Sequence, residues 1–453
     1  MVELDVFVIG GGTAGAYAAE TARQNGASVG LAERDRVGGD CIFHACIPTK
    51  ALIQAARAYK KSRNGDSFGL PSVPGQVEYS RVKSAKDKIV SDMAQGQEKD
   101  LTEKGISLYK GRASFASPHE VRVGSETIKA NKVVVATGAR PAIPPIPGLK
   151  EAGFITNIEA LELELVPKRL AIIGGGPVGC EFAQIFSSFG AGVGIYETAP
   201  RLLINEDEEV SEVLPGFFSA RGIEVFAGVT VTEVKLDGSA KMLVCRDREG
   251  KQRTDPYDTL LVATGRSPNV EELNLGAAGV AVGRKGIPVN EQMRTDVPHI
   301  WAAGDVTGTF LFTYIAWEQG EAAGWNATSD SPRSLDYSIL PRVTFCDPEV
   351  ASVGLTEAQA REKGLSPRVG KWEFSSLPRA MVSGETDGFI KIVADGKSGR
   401  ILGGHIIGQE ASTLVHQVAV AIRGGVGVAD IGRMVHAYPT FSEGIRWACK
   451  EAG

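Results

Sequence analysis

The sequence predicts an α/β protein built on two Rossmann-like dinucleotide-binding domains, followed by a further C-terminal domain. Three observations predict it. A strand, a glycine-rich turn, a helix and a second strand ending in an acid occur near the N-terminus. The same pattern recurs in the middle of the chain. The last third lacks it.

In the first copy, Val6-Phe7-Val8-Ile9 reads as a buried strand, followed by Gly10-Gly11-Gly12-Thr13-Ala14-Gly15. An Ala-rich helical pattern runs to about Asn25, and a second strand, Ser28 to Ala32, ends at Glu33. In the second copy, Leu170-Ala171-Ile172-Ile173 precedes Gly174-Gly175-Gly176-Pro177-Val178-Gly179, and Val193 to Tyr196 ends at Glu197. In both, the acid lies 18 positions after the last glycine. Each part has a physical task. Gly10 and Gly174 make the tight turn. Gly12 and Gly176 let the backbone approach a pyrophosphate. Gly15 and Gly179 allow close helix–strand packing, and Glu33 and Glu197 accept hydrogen bonds from ribose hydroxyls. The helix N-terminus adds partial positive charge for the phosphates. Glycine turns without a ligand leave the repeated carboxylate unexplained. Two such sites in one chain point to electron traffic between a flavin and a nicotinamide.

The chain has 453 residues, enough for about three or four domains. A formal net charge of −5 with no basic stripe argues against a nucleic-acid partner. No run of ~18 apolar residues predicts a membrane span. The first apolar run is too short for a signal-peptide core, so a reducing, cytoplasmic compartment is expected. The proline-rich stretch Pro141 to Pro147 marks a boundary, and a new strand pattern begins near Tyr337. The expected domains are residues 1–147 for the first nucleotide, 148–266 for the second, 267–336 returning to the first, and 337–453.

The chemistry-bearing segment is Gly38-Gly39-Asp40-Cys41-Ile42-Phe43-His44-Ala45-Cys46-Ile47-Pro48-Thr49-Lys50. Cys41 and Cys46 are compatible with a disulfide at a helix start, or with two unpaired core cysteines. No second pair supplies zinc-like spacing, so no metal is expected. A helix puts Lys50 on the same face as Cys46, where its ammonium and the helix end favour a thiolate.

This segment resembles the active-site motif of the class I pyridine nucleotide–disulfide oxidoreductases, a family that includes dihydrolipoamide dehydrogenase, glutathione reductase and mercuric reductase. The resemblance covers essentially the whole chain. Val133 to Gly138 and Leu260 to Asn269, which contains Gly265, resemble the family's two ATG segments. Ile300 to Asp305 resembles its second FAD motif, and Phe345 to Gly354 the opening of its dimerisation domain. The resemblance implies FAD and NAD(H) as cofactors and a homodimer whose α+β C-terminal domain forms the interface. It implies that Asp305 holds the flavin's ribityl chain and that Glu181 pairs with Lys50 beside the flavin. Cys46 becomes the flavin-proximal thiol. Cys41 becomes the interchange thiol facing a disulfide or dithiol substrate, possibly lipoyl-bearing. Glu197 repels a 2′-phosphate and only Arg201 follows it closely, so NAD(H) is expected over NADP(H).

One segment departs from the family. A His-x-His-Pro-Thr-type motif is expected near the C-terminus, its second histidine serving as base beside a glutamate and completing the partner's active site. Here the run is His436-Ala437-Tyr438-Pro439-Thr440-Phe441-Ser442-Glu443. Phenols ordinarily titrate near ~10 and imidazoles near ~6.5, so a tyrosine is a poor base at neutrality. Mercuric reductases share the Tyr438–Glu443 spacing but carry vicinal C-terminal cysteines, whereas this chain has Cys449 alone. Soluble transhydrogenases share a Tyr-Pro-Thr run but lack the thiol at the position of Cys46. His44 is a candidate substitute base, against the plainer reading that it packs on the active-site helix. Cys449 is a candidate relay thiol, against an incidental one. Cys180, Cys245 and Cys346 read as core or surface cysteines. An electron-transfer or NADH oxidase-like flavoprotein, indifferent to Cys41, is the contrasting class.

Overall fold

The computed structural model describes residues 2–73, 75, 77–238 and 240–453. The chain forms two compact units, one of residues 1–51, 83–142 and 265–336, the other of 52–82, 143–264 and 337–453.

The first unit is organised by a sheet in the order Ile106–Lys110, Val29–Glu33, Val2–Ile9, Glu126–Val135, Glu120–Val123 and Ala113–Ser117, with Ile300–Ala302 also paired to Glu126–Val135. The first four strands and Ile300–Ala302 run parallel. The central strand is apolar on both faces, as a parallel strand covered on both sides must be. Val6 and Val8 face one core with Ala14, Ala18 and Ala323, while Phe7 and Ile9 face another with Phe115 and Val133. Helix Thr13–Gln24 packs on helix Thr313–Thr328 through small residues. A Cβ on Gly320 would lie 2.3 Å from the Ala14 carbonyl oxygen, and one on Gly324 would lie 2.3 Å from that of Ala18. This close approach sets how near the two helices lie.

The second unit contains a parallel four-stranded sheet, Ile223–Ala227, Gly192–Glu197, Arg169–Ile173 and Thr259–Val262, so the sequence repeat is also a structural one. An antiparallel three-stranded sheet follows it. The C-terminal portion is an antiparallel five-stranded sheet, Arg342–Thr344, Val350–Gly354, Ile401–Ile407, Phe389–Asp395 and Pro367–Glu373. Helices Ala411–Arg423 and Glu443–Ala452 contribute to its core. Helix Cys46–Arg63 continues into this unit from Leu52, where Leu52 and Ile53 join Phe182, Phe186 and Phe218 in the core.

Charge pairing ties these parts of the second unit together. Arg57 meets Glu349 at 2.8 Å and Lys60 meets Asp347 at 2.6 Å. Burial alone would push Asp347 up, but Arg221 and Lys60 overcome it and hold the carboxyl below its usual range. Lys391, 2% exposed, bridges Asp207 and Glu209. Among the described residues no helix is long and apolar enough to cross a membrane, and no cluster of three or more His, Cys, Asp or Glu is placed to hold a metal ion.

Candidate active site

The two glycine loops are built to one plan. A Cβ on Gly10 would lie 2.3 Å from the Ala136 carbonyl oxygen, and one on Gly174 would lie 2.3 Å from that of Ala263. A Cβ on Gly15 would sit 1.8 Å from the Gly10 oxygen, and one on Gly179 would sit 2.0 Å from the Gly174 oxygen. At these positions a side chain has no room. At Gly176 the opposite holds, for no atom lies within 4 Å of the Cβ position. Gly12 has only the Gly39 Cα, at 3.8 Å. Glu33 accepts hydrogen bonds from the backbone N–H of Gly11 (2.7 Å) and Asp35 (2.8 Å). Glu197 accepts from Gly175 and Ala199, both at 2.6 Å. Each carboxylate is thereby fixed at the lip of its glycine loop. Gly15→Ala is expected to lose most of its bound flavin, read from visible absorbance per chain, and a fully yellow variant would show that the contact yields.

The cysteine segment is anchored to the first loop. Gly38 donates its N–H to the Gly11 carbonyl at 2.9 Å. Gly38 and Gly39 adopt φ of +115° and +61°, which glycine tolerates best. A Cβ on Gly39 would come within 2.7 Å of the Gly12 Cα. Short helix Gly39–Phe43 carries Cys41, and Cys46 begins helix Cys46–Arg63, with Lys50 one turn on. Both cysteines are half-buried. Cys46 Sγ lies 3.1 Å from Thr313 Oγ1. Cys41 is pushed far above the ordinary thiol value, first by its hydrogen bond to Cys46, then by burial and the Cys46 charge, with Thr313 opposing.

Arg266 sits between two carboxylates. It donates to Asp40 at 2.7 Å, and its Nε approaches Asp305 at 3.2 Å without hydrogen-bond alignment. Burial would raise Asp40, but His44 and Arg266 together hold it low. Asp305 is raised by burial despite Arg266. Arg266 Nε–H thus lacks an aligned acceptor, beside an acid whose pKa burial raises. With the open glycine loop and the fixed Glu33, this arrangement fits a polar ligand with hydroxyl and phosphate groups, as FAD has. Gly138 and Gly265, at φ of +68° and +116°, have no atom within 4 Å of their Cβ positions. Thr313, Asp40 and Arg266 carried no assigned role in the sequence reading. Arg266 stood in the second ATG segment and Asp40 beside Cys41, which is the signal that marks them. Thr313 had none.

In the second unit, Glu181 is 6% exposed and accepts from the Phe345 N–H at 3.1 Å. Arg201 is ion-paired to Glu208. Glu443 is buried and accepts the Thr440 N–H at 3.0 Å, while Tyr438 is 73% exposed. Cys449 is fully buried in the C-terminal core, where burial pushes its thiol up to about 12, so this chain presents no surface thiol there. Cys180, Cys245 and Cys346 are core residues. His44 Nδ1 lies 3.5 Å from Asp40 Oδ1.

Comparison with known proteins agrees with this architecture. Residues 4–320 match the family described as pyridine nucleotide-disulphide oxidoreductase, and residues 340–449 match its dimerisation domain, which supports a homodimer. A mercuric reductase of Staphylococcus aureus is 36% identical over 448 residues, covering 98% of this chain and 82% of that protein. A dihydrolipoyl dehydrogenase of Chlamydia pneumoniae is 36% identical over 446 residues, covering 97% and 95%. Among solved structures, the HOCl-induced flavoprotein disulfide reductase RclA of Escherichia coli superposes with a TM-score of 0.89 at 28% identity, covering 98% of this chain and 99% of that one. The chain belongs to the pyridine nucleotide-disulphide oxidoreductase family, whose members are oxidoreductases working with FAD and NAD(P)H.

Proposed function

We propose that the protein is an NADH-linked disulfide reductase in which Cys41 and Cys46 form the redox couple. The observation that carries this reading is the thiol pair itself. One sulfur starts a long helix beside a hydroxyl, the other sits on the short helix just before it, and their segment is fastened to the first dinucleotide loop. Bound FAD supplies the two-electron relay between nicotinamide and this pair. Glu33, Asp305 and Arg266 would hold it, and the family resemblance assigns Lys50 and Glu181 flanking roles. In the reduced protein Cys41 loses its proton and attacks one sulfur of the substrate, forming a mixed disulfide and releasing one thiol. Cys46 then attacks the Cys41 sulfur, closing the Cys41–Cys46 disulfide and releasing the second thiol. The overall reaction consumes NADH, a proton and a disulfide, and yields NAD⁺ and two thiols.

NADH is favoured over NADPH because Glu197 is fixed where a 2′-phosphate would lie, and Arg201 is engaged by Glu208. Flavin reduction is expected at NADH concentrations lower than those of NADPH by on the order of tenfold or more. Stopped-flow reduction with the reverse preference would refute this.

The substrate is proposed to be a disulfide rather than dihydrolipoamide, because Tyr438 stands where dihydrolipoamide chemistry places a base. A mercuric reductase-like reading is favoured by that tyrosine and its spacing to Glu443. Against it stands Cys449, buried and single. The relative RclA is also described as a Cu(II) complex, which makes copper a useful probe. The test is anaerobic NADH turnover with lipoamide, small disulfides, a protein disulfide, Hg²⁺ and Cu²⁺. Turnover with a disulfide, lost in Cys41→Ser, supports the proposal. Turnover confined to metal ions, quinones or oxygen overturns it.

A further inference from the structure

A polar row crosses the whole C-terminal sheet. Arg342, Ser352, His405, Lys391 and Lys371, one from each strand, stand directly opposite one another in register. Residues paired in this way share a face of the sheet. The row meets the acidic stretch Glu206-Asp207-Glu208-Glu209, which belongs to the same compact unit. Arg342 donates to Glu206 from Nε at 2.9 Å and from Nη2 at 3.1 Å, and Ser352 hydrogen-bonds the same carboxylate. Lys391 takes Asp207 and Glu209.

From Glu206 a chain of hydrogen bonds leads to the second glycine loop. The Glu206 N–H donates to the Leu203 carbonyl at 2.8 Å, the Leu203 N–H to the Gly175 carbonyl at 3.0 Å, and the Gly175 N–H to the Glu197 carboxylate at 2.6 Å. Leu203 holds φ at +47°, a left-handed conformation that a leucine side chain disfavours. Its carbonyl also accepts from Ser211 Oγ at 3.1 Å. The loop itself is Gly174-Gly175-Gly176, three residues with little stiffness of their own. Its shape is therefore set by bonds made to it from outside, and those bonds begin at the C-terminal sheet.

We propose that Arg342 and Ser352 are positioning residues for NADH, which grip Glu206 and so hold Leu203, the Gly175 backbone and the Glu197 carboxylate in the arrangement that receives the nucleotide. The inference rests on reading the second glycine loop as the NADH site. A loop already held in its binding shape has less to order when the nucleotide arrives. The bidentate arginine is suited to this task, because it fixes the orientation of the carboxylate as well as its place.

The test is anaerobic stopped-flow reduction of the flavin in the holoprotein over a range of NADH concentrations. Arg342→Met keeps a long side chain and removes both bonds to Glu206. It should raise the half-saturating NADH concentration about tenfold and leave the limiting rate within about twofold. Ser352→Ala, the milder change, should raise it about threefold. Flavin reduction by excess dithiothreitol, which uses no nicotinamide, should keep its rate in both variants, and an equal loss there would overturn the proposal. Val353→Ala weakens the apolar core on the other face of the same strand, and should lower thermal stability with no change in half-saturation. A shift in Val353→Ala equal to that in Arg342→Met would reduce the effect to lost stability and overturn the proposal. An unmoved value in both Arg342→Met and Ser352→Ala, beside a raised one in Glu197→Ala, overturns it as well. If Glu197→Ala also leaves half-saturation unmoved, the second loop is not the NADH site and the proposal falls with that reading.

Discussion

Cys41→Ser stops disulfide reduction, by about 10³-fold or more, while NADH still reduces the flavin. The reason lies in the division of labour between the two sulfurs. Cys46 starts the long helix, and Cys41 sits on the short helix before it. Cys41 is the sulfur left to attack a substrate, and serine is too weak a nucleophile to replace it. The long-wavelength thiolate-to-flavin band should persist or strengthen, since Cys46 retains Thr313 and the helix end. Cys46→Ser should differ in kind. Cys41 can still form a mixed disulfide there, but nothing resolves it, so the band disappears and the enzyme stalls with substrate attached. Steady-state turnover and visible spectra of both variants check this. Intact disulfide turnover in Cys41→Ser would mean that electrons leave the flavin by another route, as in the oxidase-like alternative.

The second large effect is expected at Tyr438. Oxidising a dithiol needs a group that accepts a proton as the thiolate attacks, and such catalysis contributes ~10²–10⁴-fold. Glu443 is in place at the start of the last helix, but its companion is a phenol rather than an imidazole. Dihydrolipoamide oxidation by the wild-type protein should therefore be slow at pH ~7 and climb as substrate thiols ionise, near pH ~8.5. Tyr438→His should raise the neutral rate by about 10²-fold, with less gain at alkaline pH. Tyr438→Phe should change little if the ring only fills space, and much if the hydroxyl binds substrate. Fast wild-type turnover at neutrality, unimproved by histidine, would identify another base. His44, held against Asp40 three residues beyond Cys41, is then the residue to substitute next.

Much of this site was legible in the sequence because its parts are local. The glycine loops, their acids and the cysteine segment each lie within a few dozen residues, and steric demands fix their spacing. The 1.8 Å clearance at Gly15 is what a third-glycine position means physically. The features that escaped are long-range. Thr313 meets Cys46 across 267 positions, and a lone threonine among Phe310, Phe312 and Tyr314 carries no pattern. Arg266 reaches Asp40 across 226 positions. Cys449 could not be told from a relay thiol until helix Glu443–Ala452 was seen to turn it into the C-terminal core. The substrate was not legible, because its selectivity rests on how an exposed Tyr438 is used and not on which residue types are present.

The central claim, that Cys41 and Cys46 are the working couple, is tested most directly by counting thiols. The chain has six cysteines. As purified in air and denatured anaerobically, the protein should show four titratable thiols, because two are joined. After anaerobic reduction with NADH, then denaturation, it should show six. In the oxidised state peptide mapping should place the bond between Cys41 and Cys46. A count of six thiols both before and after NADH, or a bond involving any other cysteine, would contradict the account.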